Sequence, residues 1–436
     1  ERGLSLLQAD SLSVPPHIRS LIDRLNAADY ECYVVGGFLR DLLLDRPTHD
    51  IDLATSALPE EVMALFSDYR TIPTGLIHGT VTVLAEDDPV EVTTFRKEGL
   101  YSDHRRPDEV WFTKSLEEDL KRRDFTINAL AWHPDLGLVD PFGGRTDLED
   151  GIIRAVGRPT DRFHEDALRI LRALRLASEL GFSIEHKTAD AMHDKRSLLS
   201  HVASERIRIE LLRILRAEHF AFVLTKYAAI MTVVLPEMGP LRQEMQGELS
   251  RYDIAVERAK RVDDAEQRLA ALLYDIDIPE IGKTVAERLR FSNNSVKRID
   301  ALVSSRNDYP EADKRSVWRA LHRWGDVLFG AILELRRADL EVRVASDEKA
   351  LKKLDAITGI KEALLQSGKD LQLSDLAISG HDLLAAGYRG EAIGEALEYL
   401  LLRVCVDDLP NRPEVLLAEL ETRGGEAKSG SPHIHR

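Results

Sequence analysis

The sequence predicts an α+β fold, in which a small mixed-sheet domain fills the first 155 residues and an all-helical portion follows. Before residue 155, runs rich in β-branched residues are bounded by turn signals such as Gly36-Gly37, a pattern typical of strands. After Gly157 the strand signal nearly vanishes, and apolar residues such as Leu168 and Leu171 recur at helical period. The change near residue 155 therefore separates two kinds of architecture.

Individual elements can be placed along the chain from the same patterns. In the first domain, strands are predicted over residues 33–35, 51–54, 80–84, 90–95 and 110–113. Helices are predicted over residues 17–28, 59–66 and 116–121, with another beginning near Phe38. In the helical portion, the first two helices are predicted over residues 164–180 and 204–215, the second with Ser204 as its N-cap.

Composition and charge limit the class of protein. The chain has 436 residues, and 59 basic against 75 acidic residues give a net charge of −16. This balance excludes a uniformly basic nucleic-acid coat protein but not an enzyme that acts on RNA, because binding depends on local basic stripes. Only two cysteines occur, which excludes a disulfide framework and a cysteine-rich zinc site.

The sequence offers no sign of membrane association or export. No apolar run approaches the roughly 20 residues of a membrane span, and the opening segment ERGLSLLQAD lacks the pattern of an export signal. We therefore expect a cytoplasmic protein without membrane contact.

The strongest chemical signal joins a glycine turn to two carboxylates. The run GGFLRD (36–41) follows a predicted strand and opens a helix, so backbone N–H groups can face a phosphate, with Arg40 one turn further on. Asp50 and Asp52 are two residues apart, and on a strand they share one face. Each piece alone is commonly a turn or a solvated loop. Their combination favours a magnesium site that serves phosphoryl transfer.

A second signal is a row of charged residues at three-residue spacing. The row consists of Asp166, Arg169, Arg172 and Arg175, which on a helix would form one polar stripe. An Asp beside an Arg can accept a hydrogen bond from an exocyclic amino group and donate one to a ring nitrogen. Cytosine and adenine offer that pair of groups, whereas uracil and guanine do not, so the stripe predicts CTP and ATP selection without a template. The alternative is an ordinary solvated face.

These motifs resemble those of the class II tRNA nucleotidyltransferases, the polymerase-β-like family that includes bacterial CCA-adding enzymes and poly(A) polymerases. The resemblance runs through VVGGFLRDLLLDRPTHDIDLATSALPEEV (34–62), HGTVTV (78–83), EVTTFR (91–96), SLEEDLKRRDFTINALA (115–131), DPFGG (140–144), RFHEDALRILRALR (162–175) and SERIRIE (204–210). These runs stand in the order that the family has. The C-terminal half is matched weakly, through ISGHDLL (378–384) and LPNRPEVLL (409–417).

The resemblance implies roles for individual residues. Asp50 and Asp52 would be the catalytic carboxylates and would bind Mg²⁺. Other residues would bind the nucleotide, through its phosphates or by reading its base on the helix of the charged row. The residues assigned to nucleotide binding in this way are Gly37, Arg40, Arg123, Asp166, Arg169, Arg172 and Arg175.

Two further side chains have more than one interpretation. Glu91 is either a third metal carboxylate, since related sites often carry one on a neighbouring strand, or an exposed strand residue. Asp124 either fixes Arg123 or caps a helix over residues 125–130. The sequence does not decide between these roles.

The resemblance also implies a division of the chain into named parts. A polymerase-β-like head (17–155) would follow an N-terminal arm (1–16), and an elongated all-α neck, body and tail would occupy residues 156–217, 218–350 and 351–423. The neck would recognise the base and the tail would bind tRNA. The last residues, 424–436, are small and polar, which predicts a disordered end.

The function that the resemblance implies is addition of C, C and A to the tRNA 3′ end, using CTP, ATP and magnesium. No stable protein partner is predicted. The nearest alternative is an enzyme that adds only A or only CC, or a poly(A) polymerase. An alternative of another class is a catalytically inactive RNA-binding relative, which the retention of both Asp50 and Asp52 disfavours.

A long polar segment separates two of the predicted strands. Residues Arg96 to Glu109 contain Gly99 and Pro107, and a loop of this length within a compact domain is usually functional or disordered. Relatives that add the terminal A tend to keep such a loop. We therefore interpret the segment as a lever that helps Asp166 and Arg169 fit adenine after two cytosines have been added; the alternative is a dispensable hairpin tip.

Replacing residues 99–108 with a tight turn should therefore spare C addition and impair A addition. A shorter connection cannot shift when the larger base enters, although the fixed parts of the site remain. The measurement is single-turnover incorporation of CTP on tRNA that lacks CCA, against ATP on tRNA that ends in CC. Equal loss of both activities would assign the loop to folding or RNA binding, and no loss would make it a dispensable tip.

Overall fold

A computed structural model describes residue 12 and residues 14–47, 51–75, 79–86, 88–98, 110–246, 248–343, 347–367 and 372–422. The chain divides into two compact units. The first contains residues 1–240 and 287–291, and the second contains residues 241–286 and 292–436. Asp50, the segment 99–109 and the end of the chain at 424–436 lie outside the described residues.

The first unit is built around a seven-stranded mixed sheet with the strand order β3-β4-β5-β2-β1-β8-β9. A separate ribbon, β6-β7, and a short parallel pair, β10-β11, accompany it. The strands are β1 (Cys32–Val35), β2 (Ile51–Thr55), β3 (Arg70–Gly75), β4 (Thr80–Ala85), β5 (Asp88–Thr94), β6 (Arg96–Glu98), β7 (Val110–Phe112), β8 (Ala131–His133), β9 (Gly137–Val139), β10 (Ile152–Ile153) and β11 (Ser183–Ile184).

Helices surround this sheet and then continue the chain. Helix α1 buries Ile18, Leu21, Ile22 and Leu25, the apolar face that its spacing predicts. The helices of the first 240 residues are α1 (Pro16–Ala27), α2 (Gly36–Leu43), α3 (Pro59–Leu65), α4 (Leu116–Lys121), α5 (Gly144–Asp150), α6 (Pro159–Glu165), α7 (Leu168–Leu180), α8 (His186–Lys195), α9 (Ser204–Arg216), α10 (Phe220–Lys226) and α11 (Ala228–Val234).

The remaining elements are almost all helical. They are β12 (Met245–Gln246), β13 (Leu249–Ser250), α12 (Arg251–Ala259), α13 (Ala265–Leu273), α14 (Ile281–Arg288), α15 (Asn293–Ser304), α16 (Lys314–Val342), α17 (Glu348–Gln366), α18 (Gly380–Ala385), α19 (Glu391–Val406) and α20 (Pro413–Thr422). Gly325 leaves helical geometry inside α16 and marks a kink there. Within the described ranges, no helix combines the length and the apolar character that crossing a membrane would need.

Three strands at the centre of the sheet position the site. Strands β1 and β2 are antiparallel, with Val34 opposite Leu53, so the end of β1 lies beside the beginning of β2. Strands β2 and β5 are parallel, with Asp52 opposite Glu91. Asp52, near the start of β2, is therefore brought next to the turn that follows β1, and Glu91 lies one strand further along the sheet.

The predicted α+β class is confirmed, as are most of the elements predicted for the first domain. The boundary of α2 differs, because the helix begins at Gly36 and not near Phe38. The predicted helix over 125–130 is wrong, since only a single 3-10 turn forms at Thr126–Asn128 before β8. The division into head, neck, body and tail stays a prediction.

Two predictions about the helical portion are wrong in detail. The helix predicted over 164–180 is interrupted, because Asp166 is extended (φ −138°, ψ 104°) between α6 and α7. Ser204 is the first residue of α9, Ala203 holds the cap position, and no side chain caps that end. Apolar periodicity continues across the interruption, which is why the sequence pattern did not reveal it.

The segment predicted as a loop over Arg96–Glu109 begins with a strand. Its first three residues form β6, which pairs with β7 so that Arg96 lies opposite Phe112 and Glu98 opposite Val110. The remaining eleven positions, 99–109, lie outside the described residues. Alternation of polar and apolar residues is absent in β6, so its strand character depends on the partner strand.

The turn Asp140–Gly144 holds α5 against the 3-10 turn of the site. Asp140 accepts hydrogen bonds from the backbone N–H groups of Gly144 (2.8 Å) and Arg145 (2.9 Å) and so caps α5. A Cβ atom at Gly144 would lie 2.2 Å from the carbonyl oxygen of Thr126. At Gly143 the neighbourhood is open, but φ is +76°.

Gly144→Ala should therefore destabilise the protein more than Gly143→Ala. The first substitution pushes two backbone segments apart, at a cost of about 3 kcal/mol or more. The second costs only the strain of a left-handed alanine, about 1 kcal/mol. Urea unfolding followed by circular dichroism gives both values, and equal stability of the two variants would contradict this account of the turn.

Candidate active site

The site is organised by the glycine turn between β1 and α2. Gly36 has φ +78°, a left-handed conformation that side-chain-bearing residues rarely adopt. A Cβ atom on Gly36 would lie 3.0 Å from Oδ2 of Asp52 and 3.2 Å from Nη1 of Arg123. The turn, one predicted metal carboxylate and one predicted nucleotide-binding arginine are thus in close contact.

The carboxylates of the site lie on adjacent strands. Asp52 is partly exposed while its neighbours Ile51 and Leu53 are buried, so Asp52 points away from the core. Glu91 is its register partner on β5 and is exposed, and partners in adjacent strands share a face. Among the described residues, which do not include Asp50, no group of three potential ligands is assembled. Asp52 and Glu91 are the two carboxylates that the structure brings together.

Arg40 is held in one orientation by two partners. Its Nε and Nη2 atoms donate to the carboxylate of Asp41 at 2.9 and 2.7 Å, and its Nη1 atom donates to Oδ1 of Asn128 at 2.8 Å. Only 8% of Arg40 is exposed. A Cβ atom on Gly37 would lie 3.6 Å from Nη2 of Arg40, so this guanidinium packs directly beneath the second glycine.

Arg123 is fixed from the opposite side by Asp119. Its Nη2 atom lies 3.4 Å from the Asp119 carboxylate, which also accepts hydrogen bonds from Arg122 and from the backbone N–H of Arg96. Burial alone would raise the pKa of Asp119, but the charges of Arg122 and Arg123 have the larger combined effect, and the pKa of Asp119 is lowered. Burial lowers the pKa of Arg123, and Asp119 opposes that shift. The pair therefore keeps a charged arginine beside the turn.

Asp124 faces Arg172 and not Arg123 in the contacts that the structure shows. Its Oδ1 atom accepts from the backbone N–H of Phe125 (2.9 Å) and from Nδ2 of Asn128 (3.0 Å), and its Oδ2 atom lies 2.7 Å from Nη2 of Arg172. Burial opposes ionisation, but Arg172 and then Asn128 lower the pKa of Asp124 to about 2. The helix that Asp124 was predicted to cap does not form, and its carboxylate bonds instead to the backbone N–H just before the 3-10 turn.

Asp166 and Arg169, the two residues predicted to read the base, lie at the interruption between α6 and α7 and at the start of α7. Asp166 accepts from the backbone N–H of Leu168 (3.0 Å) and from Nη2 of Arg206 (2.9 Å). Arg169 donates to Glu165 at 2.6 Å and is 8% exposed. Both side chains are held by further partners, so their polar edges have a set direction.

The other two arginines of the charged row also have acidic partners. Arg172 pairs with Asp124, as described above. Arg175 is buried and lies 3.4 Å from Glu210 of α9, whose pKa burial raises. The alternative of a solvated charged face is wrong for Arg169 and Arg175, because both are less than one-tenth exposed.

Comparison with known proteins gives the family. Residues 32–154 match the poly A polymerase head domain, residues 181–240 match the probable RNA- and SrmB-binding site of polymerase A, and residues 260–420 match tRNA nucleotidyltransferase domain 2. A CCA-adding enzyme of Enterococcus faecalis is 37% identical over 404 residues, which cover 91% of this chain and 93% of that protein. The chain belongs to the CCA-adding enzyme family.

Other CCA-adding enzymes agree with this assignment. One of Bacillus velezensis is 38% identical over 400 residues, covering 90% of this chain and 94% of that protein. The crystal structure of the Bacillus stearothermophilus CCA-adding enzyme in complex with CTP has a TM-score of 0.74 and 30% identity, with coverage of 94% and 98%. The Thermotoga maritima CCA-adding enzyme complexed with tRNA is 22% identical with a TM-score of 0.64, and it shows the fold alone.

Sequence reasoning missed three residues of this CCA-adding family member. Asp119 orients Arg123, Asn128 bonds to both Arg40 and Asp124, and Arg206 orients Asp166. Asp119 and Asn128 lie within the run SLEEDLKRRDFTINALA, and Arg206 within SERIRIE. Proximity of Asp119 and Asn128 to Arg123 in the sequence was the available signal for those two.

Proposed function

We propose that this chain adds C, C and A to the 3′ end of tRNA, using CTP and ATP and releasing pyrophosphate. The match to curated CCA-adding enzymes over about nine-tenths of both chains carries the proposal. The convergence of Gly36, Asp52 and Arg123 at one turn supports it, because phosphoryl transfer depends on cations and backbone donors placed around a phosphate.

In this proposal the triphosphate lies against the turn that opens α2. Backbone N–H groups at the start of the helix face it, and Gly37 allows close approach. Arg123, beside Gly36, contacts the phosphates, and Arg40 supports the turn from below through Asp41 and Asn128. Their fixed orientations mean that little reorganisation is needed when charge develops on the leaving pyrophosphate.

Asp50 and Asp52 are proposed as ligands of Mg²⁺, with Glu91 as a candidate third carboxylate. The residues fit such a group, because a carboxylate oxygen of Asp52 faces the glycine turn and Glu91 shares its strand face. When bound, two such ions would assist deprotonation of the RNA 3′ hydroxyl and neutralise charge on the leaving group. The protein's part is to hold these oxygens beside the phosphate-binding turn.

Base choice is proposed to rest on Asp166 and Arg169. The carboxylate of Asp166 accepts a hydrogen bond from the amino group of cytosine or adenine, and the guanidinium of Arg169 donates one to the adjacent ring nitrogen. Hydrogen bonds from Arg206 and the Leu168 N–H orient the Asp166 carboxylate, and Glu165 orients the Arg169 guanidinium. A base with a carbonyl in place of the amino group would leave these partners unpaired, which is the source of discrimination.

One assay separates full CCA addition from A-only or CC-only addition and from an inactive relative. The protein is incubated with tRNA that lacks three, two or one terminal nucleotides, with CTP and ATP supplied separately and together. Growth of the first substrate to full length only when both nucleotides are present is expected. Extension of only one substrate would indicate a narrower enzyme, long A tails a poly(A) polymerase, and no extension an inactive relative.

Asp50→Ala and Asp52→Ala should each lower single-turnover CTP incorporation by roughly a thousandfold, since several kcal/mol of transition-state charge stabilisation is lost. Glu60→Ala, an exposed carboxylate on α3, is the control and should retain wild-type turnover. Melting curves establish that the variants are folded. Turnover within about tenfold of wild type in either Asp variant would overturn the two-metal assignment.

Asp166→Ala and Arg169→Ala should relax base choice more than they weaken triphosphate binding. Each removes one edge of the readout and leaves Arg123 at the phosphates, so UTP or GTP incorporation should rise about tenfold or more relative to CTP. Asp161→Ala and Arg158→Ala, an exposed pair in the same region, serve as controls. Unchanged discrimination in both test variants would assign the two residues to structure.

A further inference from the structure

A continuous chain of side-chain contacts links α2 to α7. Nη1 of Arg40 donates to Oδ1 of Asn128 at 2.8 Å, and Nδ2 of Asn128 donates to Oδ1 of Asp124 at 3.0 Å. Oδ2 of Asp124 lies 2.7 Å from Nη2 of Arg172. One end of this chain is at the phosphate-binding turn, and the other is on the helix of the charged row.

The amide of Asn128 can take only one orientation in this chain. Its oxygen faces a guanidinium and its NH₂ group faces a carboxylate, and the reversed amide would place donor against donor and acceptor against acceptor. Asn128 and Asp124 are each 6% exposed, so water cannot readily replace either contact. A buried side chain that carries both an acceptor and a donor is required here.

The backbone of Asn128 adds a third connection. Its carbonyl oxygen lies 3.5 Å from Nη1 of Arg123, the arginine beside Gly36. The 3-10 turn that ends at Asn128 is itself pressed against Gly144 through Thr126. Asn128 therefore contacts both arginines of the glycine turn and, through Asp124, Arg172.

We propose that Asn128 is a positioning residue that holds Arg40 and Arg123, the two arginines of the glycine turn, in register with the base-reading helix. The inference rests on the proposed function, since it takes the glycine turn and the base-reading helix to bind one nucleotide. An incoming nucleotide must present its α-phosphate and its base to two separate elements at once. A fixed link between those elements keeps the phosphate aligned for attack whichever base, C or A, is bound.

The test is steady-state kinetics of Asn128→Ala with CTP on tRNA that lacks CCA, well below the melting temperature. We expect kcat to fall about tenfold to a hundredfold while the KM for CTP stays within about threefold, because alignment and not contact is lost. Asn128→Leu keeps most of the side-chain volume while losing both the acceptor for Arg40 and the donor to Asp124. It should show the same split, and it replaces the alanine variant if that one fails to fold.

A double-mutant cycle separates coupling from simple loss of stability. Asn128→Ala combined with Arg172→Ala should cost little more than the larger single loss, because both substitutions break the same chain. Asp41→Asn is the matched control, because it weakens the contact of Arg40 with Asp41 and leaves the contact with Asn128 in place. The fold-loss in kcat from Asp41→Asn should therefore multiply with the fold-loss from Arg172→Ala.

Three results would overturn the inference. The first is an Asn128 variant with a lower melting temperature but an unchanged kcat. The second is an Asn128 variant with a raised KM for CTP and an unchanged kcat. The third is a double variant of Asn128 and Arg172 whose fold-loss in kcat equals the product of the two single losses. Wild-type protein assayed in parallel distinguishes failure of the proposed function from failure of the role of Asn128. If it adds no nucleotide, the proposed function fails; if it adds CCA and the variants match it, only the role of Asn128 fails.

Discussion

The absence of a side chain at Gly36 is the constraint on which the site depends. The antiparallel register of β1 and β2 brings the end of one strand against Asp52, and the left-handed φ of +78° turns the chain into α2 at that point. A Cβ atom would lie only 3.0 Å from the Asp52 carboxylate and 3.2 Å from Arg123. Glycine thus lets backbone, carboxylate and guanidinium meet, which any other residue would prevent through strain and contact together.

The cations around this turn are all held by acidic side chains of the same unit. Arg40 pairs with Asp41, Arg123 with Asp119 and Arg169 with Glu165. An unpaired guanidinium at such depth would cost several kcal/mol, and the paired one keeps both its charge and its direction. A chain with a net charge of −16 can thus keep charged arginines at the proposed nucleotide site. Local pairing, and not overall charge, sets the orientation of the arginines.

The sequence predicted the fold class and the elements that show a local pattern. The strands that flank the site and helices α1, α3 and α4 follow from side-chain type, apolar spacing and flanking turn signals. The contacts of the site are different in kind. Asn128 meets Arg40 across 88 positions, and Arg206 meets Asp166 across 40, so no local pattern encodes them.

The interruption of the helix at Asp166 could not be predicted from the local sequence pattern either. Apolar residues on α6 and α7 keep helical spacing, whereas the backbone angles of Asp166 are extended and its carboxylate contacts the Leu168 N–H and Arg206. The metal ligands remain a prediction, and Asp50 lies outside the described residues. The sequence paired Asp50 with Asp52 and offered Glu91 as a third metal carboxylate or an exposed strand residue, and the structure places Glu91 opposite Asp52 in the strand register.

Template-free base choice makes a stricter demand on rigidity than phosphate binding does. Phosphate oxygens are charged and nearly equivalent, so an arginine can follow them through small displacements. A base edge presents one donor and one acceptor, and a carboxylate that rotates would accept the wrong base as readily as the right one. In a continuous helix the direction of residue 166 would be set by the helical period alone. Outside the helix, Asp166 is directed by two hydrogen bonds that meet its carboxylate from different segments, and this arrangement holds the acceptor still.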